Sequence, residues 1–203
     1  MNNKGLTLVE VIAVLVILSI IAVIVTPNIA VSVRDYKDRT TQTQLSTIKE
    51  ATKNWVADNV NKINCDGTTY GITVKKLQTE GYLDKNLKNP NGGTFDDSID
   101  TFGLVYCTEI IDETGNMDSN YKYEYGAYID LDDYAKKMAI KYVKNKKILS
   151  NTSVTVTTLI NERYLHNIIN MDLTTNKTVS NKTISVEVTE DEVGEYQYNA
   201  TIN

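Results

Sequence analysis

The chain has 203 residues, with 26 acids against 21 bases, one His and two Cys, a length that fits one ordinary domain or two small ones. The net charge of -5 argues against a general nucleic-acid binder, which needs a basic surface to displace counterions. One His with two Cys excludes a zinc finger or a His-rich metal centre, and 23% charged residues exclude wholesale disorder.

Residues 6–25 read LTLVEVIAVLVILSIIAVIV. As a helix this run would span about 30 Å, the thickness of a bilayer core. Val, Ile, Leu and Ala occupy every face, so there is no amphipathic stripe of the kind a core helix in a small soluble domain carries. Membrane insertion is therefore the expectation. A cleaved secretory signal is the rival, but the apolar stretch outruns the usual one, and Thr26-Pro27-Asn28 offers no small-residue cleavage site. Glu10 is the anomaly. A carboxylate at the centre of a membrane helix costs roughly 2.5–3.5 kcal/mol or more and marks a functional position by default. The bland alternative is a carboxylate close enough to the interface to snorkel, or one that is simply protonated.

Lys4-Gly5-Leu6-Thr7-Leu8-Val9-Glu10, the apolar run behind it and Pro27 together resemble the type IV prepilin signature. The resemblance implies cleavage between Gly5 and Leu6 by a membrane prepilin peptidase and N-methylation of the new terminus at Leu6. It implies that Glu10 pairs with the terminal amine of a neighbouring subunit during filament assembly. The physics agrees, because pairing two buried charges removes two desolvation penalties together. Pro27 matches a helix-loosening proline of the family, since it deletes one i to i-4 hydrogen bond. Two positions depart from the pattern: Leu6 stands where most members have Phe, and Ser19 where many have Gly. The implied partners are other pilin subunits, the prepilin peptidase and its assembly machinery, the membrane before assembly, and host or surface contacts afterwards. The implied location is a single-pass membrane precursor that becomes an extracellular filament.

Residues 34–44 are polar on all sides, as a neck between membrane and head would be. Leu45, Ile48, Thr52, Trp55, Val56, Asn59 and Ile63 then follow helical spacing, so Ala51, Trp55 and Val56 are expected to face a sheet. Asp66-Gly67, just after Cys65, supplies the turn chemistry expected to end that helix.

Residues 72–83 (ITVKKLQTEGYL) and 154–165 (VTVTTLINERYL) match at six of twelve positions, at an offset of 82. A helical pattern precedes each copy. The second has Leu131, Tyr134, Ala135, Met138, Tyr142 and Val143 on one face, with Asp132 or Asp133 as the expected N-cap and lysines toward its C-terminal end. Each copy is followed by Tyr, Tyr, Ala and Ile on alternate positions, at 123–129 and 196–202, the period of a half-buried strand. Strands are expected at 102–109, 122–129, 183–189 and 196–202. A turn is expected at 89–93 and an exposed hairpin loop at 110–120. The arrangement resembles the doubled heads of Gram-positive minor pilins.

The expected fold is therefore α+β: a long N-terminal helix, half membrane and half amphipathic, carrying two tandem helix-plus-antiparallel-sheet modules. The expected divisions are a leader at 1–5, a transmembrane and assembly helix at 6–27, a neck and first module at 28–130, and a second module at 131–203. Cys65 and Cys107 are a candidate disulfide, chemically permitted outside the membrane, with two buried free thiols as the alternative. Lys136, Lys137, Lys141, Lys144, Lys146 and Lys147 form a local basic face. DNA or a neighbouring subunit could use it, but a solvated helix face is the expectation because the chain beyond residue 30 is acidic overall. Nucleic acid is thus not an expected partner. His166 has no Ser or Cys motif beside it, and the acids show no spacing that converges on a substrate. No catalytic residues, metal or cofactor are expected. The expected function is structural, a pilin-like filament subunit of minor type. A pseudopilin of a type II secretion or competence system, and a filament-borne adhesin or DNA-binding pilin, are the alternatives.

Overall fold

A computed structural model describes residues 8–89, 95, 101–111, 117–166, 168–170 and 182–203. The expected cleavage site at Gly5 and Leu6 lies outside the described residues, as do most of the expected turn at 89–93 and the centre of the loop at 110–120. The chain divides into two compact units, Met1–Thr43 and Gln44–Asn203.

Helix α1 runs Leu8–Asp58, and its backbone stays helical at Pro27. Side chains within 21–34 are outside the described set. Among the described residues no helix is long and apolar enough to cross a membrane.

In the second unit α1 is followed by a short 3-10 turn, Val60–Lys62. Next come β1 (Asp66–Thr73), α2 (Val74–Thr79), β2 (Phe102–Ile111), β3 (Met117–Tyr128), α3 (Leu131–Asn145), β4 (Thr152–Thr155), α4 (Val156–Asn161), β5 (Ile168–Asn170), β6 (Thr183–Glu190) and β7 (Tyr196–Ile202). The architecture is α+β, and all strand pairs but one are antiparallel. The first helix ends seven residues before Cys65, not after it as the turn chemistry at Asp66-Gly67 suggested. Its end has local causes: the Asn59 side chain donates to the Trp55 carbonyl at 2.9 Å, and the bond from Cys65 to Cys107 holds that stretch beside the sheet.

The four strands whose alternation was legible form as expected, each within two residues at its start except β3, which begins five residues earlier. They are arranged as a four-stranded sheet, β3-β2-β1-β5, and a three-stranded sheet, β4-β6-β7. Strand β2 lies inside the first sheet with both faces covered, as buried strands in layered folds do. Its Val105 and Cys107 pack with Ile48, Trp55 and Val56 of α1. Its Phe102 and Leu104 pack with Tyr134, Ala135, Ala139 and Val143 of α3, and this second core also holds Ile184 and Val186 of β6. Strand β5 pairs in parallel with β1, Thr69 opposite Ile168, so residues from beyond 131 complete a sheet begun before 73.

The repeated twelve-residue text makes one local structure twice. Thr73 caps α2 by accepting from the Lys76 amide at 3.2 Å, and Thr155 caps α4 by accepting from the Thr158 amide at 3.1 Å. Leu77 and Leu159 are fully buried. After each helix the chain turns through the left-handed region, at Gly81 (φ 86°) and Arg163 (φ 59°). The next two amides then return to the buried leucine's carbonyl: Tyr82 and Leu83 to Leu77, and Tyr164 and Leu165 to Leu159. These bonds occupy helix-end carbonyls that would otherwise be orphaned.

Candidate functional site

The first candidate site is the start of α1. Glu10 lies in its first turn, where the helix dipole favours a negative charge. Around and beyond it Leu8, Val9, Val11, Ile12, Val14, Leu15, Val16, Ile17, Leu18 and Ile20 are all between 42% and 76% exposed. Fully burying one such side chain is worth about 1.5–3 kcal/mol, so this collar of apolar surface gains most when something apolar surrounds it. Ser19, the departure noted in the sequence, turns its hydroxyl inward and donates to the Leu15 carbonyl at 2.7 Å. That bond satisfies its polarity without an outside partner. Of the sequence-derived site residues, Glu10 is thus placed at the helix start, Pro27 is described by its backbone alone, and Gly5 and Leu6 fall outside the described residues.

The second half of α1 is locked to the head. Ala51, Trp55 and Val56 are buried as their spacing implied. The Trp55 indole donates to Glu80 at 2.6 Å, and Lys76 pairs with the same carboxylate at 3.0 Å. Burial pushes the Glu80 carboxyl up, but the bonds from Lys76 and Trp55 outweigh it and hold the group below the usual range. Tyr82 donates to Asp58 at 2.8 Å. On the sheet side Gly103 permits close approach, because a Cβ there would overlap the Thr52 side chain. Cys65 and Cys107 are joined in a disulfide, with Cα atoms 4.5 Å apart, normal spacing for such a bond.

A third feature was not foreseen. A cleft of about 470 Å³ lies among β2, β3, α3 and the turn after α4. The Tyr106 and His166 rings stack there at 4.6 Å, and Tyr128 and Tyr134 meet at 4.6 Å. Burial lowers the His166 imidazole from its ordinary value, and it pushes the Tyr134 phenol up to about 12 and Tyr128 upward as well. These directions favour the uncharged forms of His166, Tyr128 and Tyr134, rings suited to packing more than to proton transfer. The sequence showed these residues singly; Tyr106 and His166 meet where the β1–β5 pairing brings Ile168–Asn170 beside the first sheet.

Three lysines of the basic helix face are engaged. Lys137 pairs with Asp133 at 2.8 Å and lies 5.3 Å over Tyr128. Lys146 pairs with Glu162 at 3.0 Å, and Lys144 lies 4.8 Å over Tyr198. The α3 N-cap is Asp130, whose carboxylate accepts from the Asp133 amide at 2.6 Å, two residues ahead of the expected Asp132 and three ahead of Asp133. Those two acids are instead bound to lysines, Asp132 to Lys182 and Asp133 to Lys137. Among the described residues no group of three or more His, Cys, Asp or Glu is placed to hold a metal ion.

Residues 1–26 match the family described as the prokaryotic N-terminal methylation motif. The chain is 30% identical over 92 residues to the ComG operon protein 3 homolog of Bacillus licheniformis, covering 45% of this chain and 87% of that protein. It is 34% identical over 92 residues to the competence protein ComGC of Bacillus subtilis, covering 45% of this chain and 86% of that protein. No solved structure matches. A methylation motif at the start of an exposed apolar helix, in a chain that spans most of the length of both relatives, places this protein: it belongs to the type IV pilin-like family of Gram-positive competence pseudopilins.

Proposed function

We propose that this chain is a structural, non-enzymatic subunit of a type IV pilus-like surface filament. In this reading residues 6–27 hold the precursor in the membrane as a single span. A prepilin peptidase cuts after Gly5, and Leu6 becomes the methylated terminus. Glu10 then pairs with the terminal amine of a neighbouring subunit. The observation that carries the reading is the methylation-motif match over residues 1–26. The exposed apolar collar of α1 supports it, because lipid first and neighbouring helices later would each supply the burial that water cannot.

We read the head as one small helix-plus-sheet module used twice, supported by the matched caps and left-handed exits of α2 and α4. More than half of this chain is unmatched by relatives that are themselves nearly covered. Such extra bulk favours a minor subunit over a bulk one. The names of both relatives favour a competence pseudopilus as the filament.

Mass spectrometry of the mature chain tests processing: Leu6 should be the N-methylated first residue, and a retained Met1 would refute the reading. Glu10→Ala should leave the chain in the membrane fraction and absent from sheared filaments. Transformation frequency in a strain lacking the chain separates a competence filament from a pilus of other use.

A further inference from the structure

The aromatic cleft beside α3 has no part in the filament reading. Its inner wall is made of rings, Tyr106, Tyr128, Tyr134, Tyr164 and His166, all buried or half-buried. Its rim is made of exposed polar side chains, Glu124, Lys141, Asn145, Glu162 and Arg163. The wall is held in place by the protein itself. Tyr106 stacks on His166, the His166 amide donates to the Tyr134 hydroxyl at 3.3 Å, and Tyr164 meets Tyr142 edge-on at 5.2 Å. Gly126 leaves room for the Tyr128 ring, which a Cβ at that position would strike. Rings fixed in this way lose little freedom when something binds, which favours affinity. At about 470 Å³ the cleft falls within the range of small-molecule sites.

We propose that this cleft is a carbohydrate site that takes a neutral pyranose, the apolar face of the sugar against the ring wall and its hydroxyls bonded to the polar rim. The rim selects the ligand. Its two acids oppose two bases, so it favours neither an ion nor a polyanion such as nucleic acid. Glu124 is already paired with Lys122 at 2.9 Å and Glu162 with Lys146 at 3.0 Å, so neither carboxylate is left over for the ammonium of an amino acid or peptide. Each keeps lone pairs that accept from hydroxyl groups. Lys141 and Arg163 make no ion pair with a described residue, although Arg163 also borders the adjoining hollow that holds Asp66 and Glu109. With Asn145 they supply donors to the same hydroxyls. A wholly apolar ligand would strip water from these groups and leave them unbonded, at a cost. The molecule that satisfies both wall and rim has an apolar face, many hydroxyls and no charge, and a pyranose has all three. The inference stands apart from the filament reading, because the cleft lies wholly within the second unit and needs neither processing nor assembly.

The test is saturation-transfer NMR on the full chain in a sugar-free detergent, with glucose, galactose, N-acetylglucosamine and their trisaccharides as probes. At least one monosaccharide should bind with a Kd on the order of 1 mM. Its affinity should change less than about twofold between roughly 0.05 and 0.5 M salt, because no ion pair is made. A trisaccharide bound at least about fivefold tighter than its monosaccharide identifies a surface polysaccharide as the source, and equal affinities identify a free sugar. Tyr106→Leu removes a ring from the wall and should weaken binding about fivefold or more. Because Tyr106 is partly buried, a second variant changes exposed residues only. Asn145→Ala with Arg163→Asn removes two rim donors, and Asn suits the left-handed backbone at 163; it should weaken binding by about as much. No binding of any sugar at about 20 mM would overturn the proposal, as would tighter binding of a mononucleotide or of a glycyl-tyrosine dipeptide. Sugar binding that survives both variants unchanged would lie outside the cleft and overturn it as well.

Discussion

Breaking the Cys65–Cys107 bond should lower the head's stability by an amount set by the unfolded chain. The two residues are 42 apart in sequence, and closing a loop of that size is worth about 4 kcal/mol on the chain-entropy model. Cys107 is fully buried, so replacing both cysteines with Ala adds roughly 1 kcal/mol for the missing sulfur. A soluble fragment of residues 35–203 begins in the polar neck and retains both cores of the second unit. In it, the paired Cys65→Ala/Cys107→Ala change should lower the melting temperature by about 10–20 °C. Urea unfolding followed by fluorescence reads the effect directly, because the one Trp of the chain, Trp55, is buried in the same core as Cys107. Two signatures are expected: a lower midpoint, and a steeper dependence on urea, because an unlinked unfolded chain exposes more surface. Reducing the unaltered fragment with a thiol should reproduce the fall less the cavity contribution. A loss below about 1 kcal/mol with an unchanged urea dependence would refute loop closure as the origin of the stability.

Gly103→Ala should cost about 1–3 kcal/mol, because its new Cβ would meet the Thr52 side chain and cores resist overpacking. Adding Thr52→Ala should recover part of the loss, and the coupling is read from a double-mutant cycle in the same urea experiment. The lowered Glu80 carboxyl makes a stabilising contribution that is fully present above its unfolded pKa and lost as pH falls through the lower folded value. Glu80 is 35% exposed at its side chain, so the effect should be near 0.5 kcal/mol. Glu80→Gln should therefore flatten the acid limb of stability against pH, and an unaltered limb would show that the carboxylate's charge is not involved.

Much of this fold was legible because its residues repeat simple periods. Strands β2, β3, β6 and β7 carry alternating Tyr, Val, Ile and Ala, and the buried face of α1 follows helical spacing through Leu45, Ile48, Trp55 and Val56. Strand β1 was missed because its text, DGTTYGIT, is rich in Gly and Thr and its burial comes from neighbours on both sides. Strand β5 has three residues and no period to read. The α3 cap lies two residues before the nearer expected position because Asp130, Asp132 and Asp133 are all competent acceptors, and the lysines that occupy the latter two come from α3 itself and from the residue just before β6. The prepilin signature was legible because it is a contiguous motif. The aromatic cleft was not, because Tyr106 and His166 meet only through long-range pairing.

That pairing also governs the order in which the head can be made. Strand β1 holds β2 on one edge and, in parallel, β5 on the other, and β5 begins nearly half the chain beyond the end of β1. A growing polypeptide can bring α1, β1, β2 and β3 together early, since these are near neighbours in sequence. It must then wait for residue 168 before the second edge of β1 is covered. Parallel, non-local contacts of this kind slow folding and leave an open strand edge while they are awaited. The head is therefore a structure that closes late. The segment that closes it, Ile168–Asn170, is only three residues long, so the late step rests on very few backbone pairs.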